Sequence, residues 1–355
     1  MTTVEDANYS LSKILDSGSK KNLIELAWIK NVRVTLPRII ITLSLPSFAN
    51  SQRERIVKEV RNILLKFEDV NDVQIEIDND VSKSNSTSEN NLPELNNIKG
   101  IKHIIAISSG KGGVGKSTIA VNIACSLSKL GLKTGLLDAD IYGPNTPSML
   151  GVTEENPKVT DGTGNEQRLI PINKYGISLV SMGFLIEEGQ PVIWRGPMLN
   201  SIIKQFLYQV EWNDLDFLVI DLPPGTGDAQ ISLSQSVPIS GAIVVTTPQK
   251  VSLQDARRGL AMFKQLGVPL LGVVENMSVF IPPDMPNKKY EIFGKGGGKI
   301  LAGENNLPLL AQIPIEIKLV NDSNKGVPIS ISEPDKESSI RFKELAQLIK
   351  KQFVN

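Results

Sequence analysis

The stretch SGKGGVGKST, residues 109–118, decides the fold of this chain. It satisfies the pattern G-x-x-x-x-G-K-S, whose fixed positions are Gly110, Gly115, Lys116 and Ser117. Glycines allow the backbone to curl with positive φ, so that its N–H groups point at the oxygens of a bound anion. The pattern predicts that Lys116 reaches the β- and γ-phosphates of a nucleotide and that the Ser117 hydroxyl reaches Mg²⁺.

The residues on either side of this loop indicate a strand before it and a helix after it. The run 103–107 is typical of a buried strand, and the run 117–130 is typical of a helix that stops at Gly131. This order favours a phosphate-binding loop over an ordinary glycine-rich turn, because such a loop requires that context. The expected nucleotide-binding residues of the loop are Gly110, Lys111, Gly112, Gly113, Val114, Gly115, Lys116, Ser117 and Thr118.

Composition argues against several classes of protein. The 355 residues hold 38 Lys and Arg against 38 Asp and Glu, so the overall charge gives no reason to expect nucleic acid. No apolar run reaches the roughly 20 residues that cross a membrane, and the acidic, polar start is unlike a signal peptide. The single cysteine, Cys125, excludes a disulfide within the chain and fits a reducing compartment. We therefore expect a cytoplasmic protein with no membrane and no nucleic-acid partner.

Two domains and a linker are predicted along the chain. Residues 1–79 show the pattern of a small α+β domain in the order α-β-β-α-β. Residues 80–98 are rich in Ser and Asn and poor in apolar residues, which is typical of a flexible linker. From 99 to 355 strands and helices alternate, which predicts an α/β fold with a mostly parallel sheet and helices on both faces. The strand candidates are 103–108, 133–137, 177–181, 216–220, 242–246 and 270–274.

Aspartates follow two of these strands, at the carboxyl ends where ligands of such sheets bind. One strand runs into DAD, which contains Asp138 and Asp140, and another ends at Asp221. A carboxylate there can hold a water on Mg²⁺ opposite Ser117, so Asp138 and Asp221 join Ser117 as predicted metal-site residues. Asp140 is the candidate for orienting the attacking water, a role for which Asp138 competes. All of these aspartates could instead cap turns or helices.

The loop contains a second lysine, Lys111, directly after its first glycine. Because Lys116 already serves the phosphates, Lys111 could reach the nucleotide of a second subunit, as an arginine finger does. Spacing along the chain leaves this hypothesis and a solvated loop lysine equally open. The predicted catalytic residues are Lys111, Lys116 and Asp140.

The loop and six further segments together resemble one family. The segments are DADIYGPNTPSMLG (138–151), SMGFL (181–185), WRGPM (194–198), DLPPGTGDAQ (221–230), TTPQ (246–249) and ENMS (275–278). SGKGGVGKST resembles the deviant Walker A motif of the MinD/ParA/nitrogenase-iron-protein group. The whole set resembles the Mrp/ApbC family of ATPases over most of residues 99–330. Residues 1–78 are more weakly similar to a small iron–sulfur assembly domain that many members carry.

This resemblance implies a Mg²⁺-dependent ATPase that binds ATP and carries iron–sulfur clusters. It implies a homodimer with sandwiched nucleotides, which Lys111 serves, and partners among iron–sulfur apoprotein clients or assembly factors. It also implies that Asn276 recognises the adenine edge and that Pro314 lies near the same base. A strand-end Asn offers a base both a donor and an acceptor, although it suits a turn equally well.

One departure from the family pattern concerns the ligands of a cluster. Many members carry C-x-x-C before the FGKGGG segment (293–298), whereas Pro282 and Met285 stand at those positions here. Neither proline nor a thioether is a usual cluster ligand, and Cys125 lies in a sequence typical of a packed helix. Cluster ligands are therefore not identifiable in this chain. Either it binds clusters differently, with ligands from a partner, or it has kept the ATPase and lost the carrier step.

Three functions are open on these grounds. The first is the ATP-hydrolysing cluster carrier, and the second is a switch in which ATP closes a dimer and exposes a partner surface without a cluster. The third is a positioning ATPase on a membrane or DNA. The predicted amphipathic helix near the C-terminus (336–355) is relevant to the third function, because such a helix could dock on a membrane. Its glutamates reduce the net positive charge that a membrane-surface helix carries, so its sequence favours packing on the core of the protein.

Overall fold

The structure is a computed structural model that describes residues 2–15, 22–26, 28–43, 50–77, 98–161, 167–185, 196–285 and 287–354, although the side chains of 50–54, 196–200 and Asp228 are not described. These residues form two compact units. The first contains the residues up to 77 together with the described part of Val159–Arg168, and the second contains the others. The predicted linker, apart from Ile98, lies outside the described residues.

The first unit has the α-β-β-α-β order that the sequence predicts. Its elements are α1 (Val4–Leu11), β1 (Ile29–Thr35), β2 (Arg38–Leu43), α2 (Asn50–Leu64) and β3 (Asp72–Ile77). In the sheet β2 lies in the middle, antiparallel to β1 and parallel to β3. The apolar side chains of α2 at Ile56, Val60 and Leu64 are buried in one core with Ile39 and Ile41 of β2, as the 3.6-residue period requires.

The second unit alternates strands and helices along the chain. Its elements are β4 (Ile101–Ser109), α3 (Lys116–Lys129), β5 (Thr134–Asp138), α4 (Thr146–Leu150), β6 (Lys158–Val159), β7 (Leu169–Ile170), β8 (Ile172–Lys174), β9 (Ile177–Ser181), α5 (Gly196–Tyr208), β10 (Leu215–Asp221), α6 (Asp228–Ser236), β11 (Gly241–Thr246), α7 (Lys250–Gln265), β12 (Leu270–Phe280), α8 (Gly297–Glu304), β13 (Leu309–Ile315), α9 (Ile317–Ser323), α10 (Ile329–Ser332) and α11 (Glu337–Phe353). All six predicted strands are present, and the α/β class is confirmed.

An eight-stranded sheet organises this unit, in the order β13-β12-β11-β4-β10-β5-β9-β8. Every neighbouring pair is parallel except β9 with β8 at one edge. Because β10 lies between β4 and β5, its last residue, Asp221, is in register with Ile107 on one side and Asp138 on the other. The topology therefore brings the end of the β4 strand and two of the predicted aspartates to one edge.

Helix α11 packs on the core of the second unit. Its buried side chains Phe342, Leu345 and Ile349 join the cluster that holds Ile119 and Ile123 of α3. This confirms the predicted core packing of the helix near the C-terminus. Within the described ranges, none of the helices combines the length and the apolar character that a membrane crossing needs.

Candidate functional site

The glycine loop leaves β4 and enters α3 against two neighbouring elements. A Cβ on Gly110 would lie 2.1 Å from the backbone carbonyl carbon of Asp255 in α7, and a Cβ on Gly115 would lie 2.2 Å from Nδ2 of Asn276 on β12. Gly115 also has a φ of +82°, which other residues adopt only with strain. It stands at the N-cap of α3 without a side-chain cap. The first N–H groups of the helix are therefore available to an anion.

Asn276 holds the loop in this shape. Its Nδ2 donates to the backbone oxygen of Val114 over 2.9 Å, and its side chain is buried. This contact with the phosphate loop is a role that the sequence did not predict. The predicted contact of Asn276 with adenine stays a prediction.

Lys116 lies buried between two of the predicted aspartates. Its Nζ is 2.6 Å from Oδ1 of Asp221 and 3.3 Å from Oδ2 of Asp140, and its side chain is only 5% exposed. Burial lowers the pKa of Lys116, but the negative charges of Asp221 and Asp140 outweigh it, so that the pKa is raised. The structure thus holds an ammonium ion at the start of α3, where the sequence predicts the phosphates.

Asp221 is wholly buried and has one unused oxygen. Burial raises the pKa of its carboxyl, although the Lys116 charge and the hydroxyl of Ser117 act against the rise. Its Oδ2 has no hydrogen-bond partner among the residues that the structure describes. A buried acceptor without a donor costs free energy, and a metal-bound water would satisfy it. A carboxylate beside a hydroxyl is the oxygen chemistry that Mg²⁺ prefers, so Asp221 and Ser117 fit the predicted metal site.

Asp138, by contrast, has its oxygens occupied by protein donors. Oδ2 accepts from the backbone N of Thr146 (3.2 Å), the Thr146 hydroxyl (2.8 Å) and the Ser181 hydroxyl (3.0 Å). Oδ1 accepts from the backbone N of Asp140 (3.1 Å). Burial and the neighbouring Asp221 raise the pKa of Asp138 to about 7. These contacts fasten the segment after β5 to the end of β9, and the predicted metal role of Asp138 remains a prediction.

Asp140 connects Lys116 to an exposed turn. While Oδ2 faces Lys116, Oδ1 accepts from the backbone N of Tyr142 (3.1 Å) and of Gly143 (3.3 Å). The Tyr142 side chain is 74% exposed. Asp140 therefore lies beside the predicted phosphate lysine, and its role in orienting water stays a prediction.

Lys111 and Pro314 are not among the described bonding partners in this charged cluster. The Lys111 backbone oxygen accepts from the Ser109 hydroxyl over 2.9 Å, and its ammonium pairs with none of the described carboxylates. Pro314 on β13 lines a cavity of about 490 Å³, together with Ser278 and Gln312. The structure describes a single chain, so the reach of Lys111 toward a second subunit remains a prediction.

A further group of contacts ties the segment after β10 to the end of β4. The backbone N of Leu222 donates to the oxygen of Ile107 (3.0 Å), and that of Gly225 donates to the oxygen of Ser109 (2.9 Å). The Gln230 amide donates to the Ser108 hydroxyl. No local pattern predicts these bonds beyond the DLPPGTGDAQ segment itself. They link this segment to the three residues that precede the glycine loop.

Comparisons with known proteins show which family the chain resembles. Residues 100–350 match the family model described as ParA: NUBPL iron-transfer P-loop NTPase. The chain is 48% identical to an iron-sulfur cluster carrier protein of Synechocystis over 349 residues, which cover 98% of this chain and 97% of the relative.

Two solved structures are also similar to the chain. One is a nucleotide-binding protein in complex with ADP from Archaeoglobus fulgidus, with a TM-score of 0.57, 35% identity, and coverage of 64% of this chain and 88% of the other. The other is the cell division ATPase MinD of Pyrococcus furiosus, with a TM-score of 0.51, 23% identity, and coverage of 70% and 99%. The likeness to MinD extends to the fold alone.

Proposed function

Because this chain belongs to the ParA-type family of iron-transfer P-loop NTPases, we propose that it binds and hydrolyses ATP with Mg²⁺ and transfers iron–sulfur clusters to apoproteins. We place this activity in the cytoplasm, in a homodimer whose partners are apoprotein clients or assembly factors. The observation that carries the proposal is the position of Lys116, held as a cation between Asp221 and Asp140 at the start of α3.

Binding of the nucleotide exchanges the partners of Lys116. In the structure two carboxylates neutralise the ammonium in a site that is almost closed to water. Phosphate oxygens would take their place, with the loop N–H groups and the N-terminus of α3 as further donors. Asp221 then regains a free carboxylate beside the Ser117 hydroxyl, and these two side chains would hold Mg²⁺. When bound, Mg²⁺ neutralises charge on the β- and γ-phosphates.

Hydrolysis requires positioning more than covalent chemistry from the protein. Water forms a bond to the γ-phosphorus while the bond to the bridging oxygen breaks, and ADP leaves with that electron pair. Asp140, once released from Lys116, is the carboxylate that would orient the water. Lys111 of the second subunit would stabilise the charge that develops on the leaving oxygen.

Phosphate release and ATP binding by purified variants test this assignment. We expect Lys116→Ala to lose ATP binding, and Lys111→Ala to slow turnover more than it weakens affinity. Lys102→Ala is the matched control, because Lys102 pairs with Asp216 at the opposite end of β4. Unchanged turnover in Lys111→Ala would remove the cross-subunit role, whereas unchanged ATP binding in Lys116→Ala would remove the proposed site. Light scattering with ATP tests for the dimer.

A further inference from the structure

We propose that the thiolates that hold a transferred cluster come from a thiolate-bearing partner protein and not from this chain. The inference rests on the proposed carrier function and names the class of partner that the function needs. Iron–sulfur clusters are held by cysteine thiolates, usually four, with histidine as an occasional substitute. The 355 residues contain one cysteine and one histidine, so even a dimer would offer only two of each.

The cysteine is not available as a ligand. Cys125 is fully buried in α3, among the apolar side chains of the main core. Burial raises the pKa of its thiol to about 12, so that the thiol stays protonated, whereas a metal ligand must be the thiolate. Exposing Cys125 would require unpacking the helix that begins at Lys116 and carries the phosphate loop. Two copies of the chain therefore cannot bring these thiols together while the nucleotide site remains folded.

The histidine is occupied by aromatic packing. His103 contacts the rings of Phe353 and Phe217, with centroid distances of 4.9 Å and 5.4 Å. It lies six residues before Ser109 on β4, which places it about 20 Å from the end of the strand that leads into the glycine loop. The only imidazole of the chain is thus distant from the proposed nucleotide site.

An exposed turn at Pro282 and Met285 has a backbone suited to a pair of cysteines, but it contains none. The backbone N of Met285 donates to the oxygen of Pro282 over 3.1 Å, and the Met285 side chain is 45% exposed. A turn of this kind brings its first and fourth Cα atoms to within about 7 Å. Two cysteines at these positions would present their thiols together at the surface. The backbone geometry of a cysteine pair is therefore present, and the side chains are not thiols.

Anaerobic reconstitution of the full chain with ferrous iron and sulfide tests the proposal. Bound iron, bound sulfide and visible absorption are measured after desalting, with and without ATP and Mg²⁺. We expect the wild type to retain no more iron than Cys125→Ala. We expect Pro282→Cys/Met285→Cys to gain one cluster per dimer, since two chains together would supply four accessible thiolates. A synthetic peptide with four cysteines, treated in parallel, shows that the procedure loads clusters. A stoichiometric cluster on the wild type would overturn the proposal, whether or not Cys125→Ala abolishes it.

The carrier function is measured separately, so that the two ideas can fail independently. Cluster transfer from a loaded four-cysteine scaffold protein to an apo-ferredoxin is followed with the wild type and with Lys116→Ala. Faster transfer with the wild type, together with no retained iron on it alone, is the expected result. A wild-type rate equal to that of Lys116→Ala contradicts the carrier function, while iron retained by the isolated wild type contradicts the present inference.

Discussion

Three glycine-to-alanine substitutions in the glycine loop separate two effects on the free energy of unfolding. One is backbone strain and the other is a steric clash of the added methyl group. Gly112 has open space around its Cβ position and a φ outside the left-handed region. Gly113 has the same open space but a φ of +81°. Gly115 combines a φ of +82° with a Cβ position 2.2 Å from Nδ2 of Asn276. Gly113→Ala therefore introduces backbone strain alone, and Gly115→Ala introduces the same strain together with a steric clash.

The expected free energies of unfolding follow from these differences. Gly112→Ala should change the free energy of unfolding by no more than about 0.5 kcal/mol, since no atom of the described residues lies within 4 Å of the added methyl group. Gly113→Ala should cost about 1–2 kcal/mol for a left-handed alanine. Gly115→Ala should cost about 1 kcal/mol more, because the methyl group displaces Asn276 from its hydrogen bond with Val114.

Urea unfolding of the nucleotide-free protein measures these values. A Trp28→Phe background removes the tryptophan described in the first unit, so that fluorescence follows the buried Trp212 of the second unit. In an Asn276→Ala background the extra cost of Gly115→Ala should disappear, and only the strain should remain. A Gly115→Ala cost equal to that of Gly113→Ala would refute the contact between β12 and the loop.

Three further predictions concern the rest of the second unit. Burial lowers the pKa of His103 in the folded protein below its usual 6.5. The contribution of the neutral imidazole to the free energy of unfolding is therefore complete above pH 6.5 and is lost as the pH falls from there through the lowered pKa. Urea titrations between about pH 7 and 5 should show this loss, and His103→Gln should diminish it. Phe342→Ala, at a fully buried position of α11, should cost about 3–5 kcal/mol. Leu348→Ala, on the same helix but 47% exposed, should cost under about 1 kcal/mol, and equal costs would contradict the packing of α11. The buried thiol of Cys125 should resist a thiol reagent in the folded protein and react fully in urea; rapid reaction without denaturant would show that α3 opens.

Local patterns were sufficient to predict much of the fold. The loop at 109–118 and the six predicted strands are recognisable from residues that are close together in the sequence. The position of Asp221 at the end of a strand is predictable in the same way. The predicted strands do not include β13, whose sequence, LLAQIPI, contains a proline, a residue that argues against a central strand. In the structure β13 is one of the two edge strands of the sheet, where a missing N–H is tolerated.

The contacts of the site side chains depend on distant parts of the chain. Asn276 reaches Val114 only because β12 lies two strands from β4, an order that no local pattern encodes. The role of Asp138 likewise depends on Thr146 and Ser181, whose hydroxyls converge on it after a loop and a further strand. The residue types that meet at this edge are therefore predictable from the sequence, whereas their hydrogen-bond partners are not.

Isothermal titration of the full chain with ATP and Mg²⁺ tests the central claim most directly. We expect saturable binding by the wild type, and none by Lys116→Ala, because the ammonium between Asp221 and Asp140 is the cation that receives the phosphates. A folded wild-type protein that takes up no ATP at millimolar concentrations would contradict the account. Equal binding by the wild type and Lys116→Ala would contradict it as well.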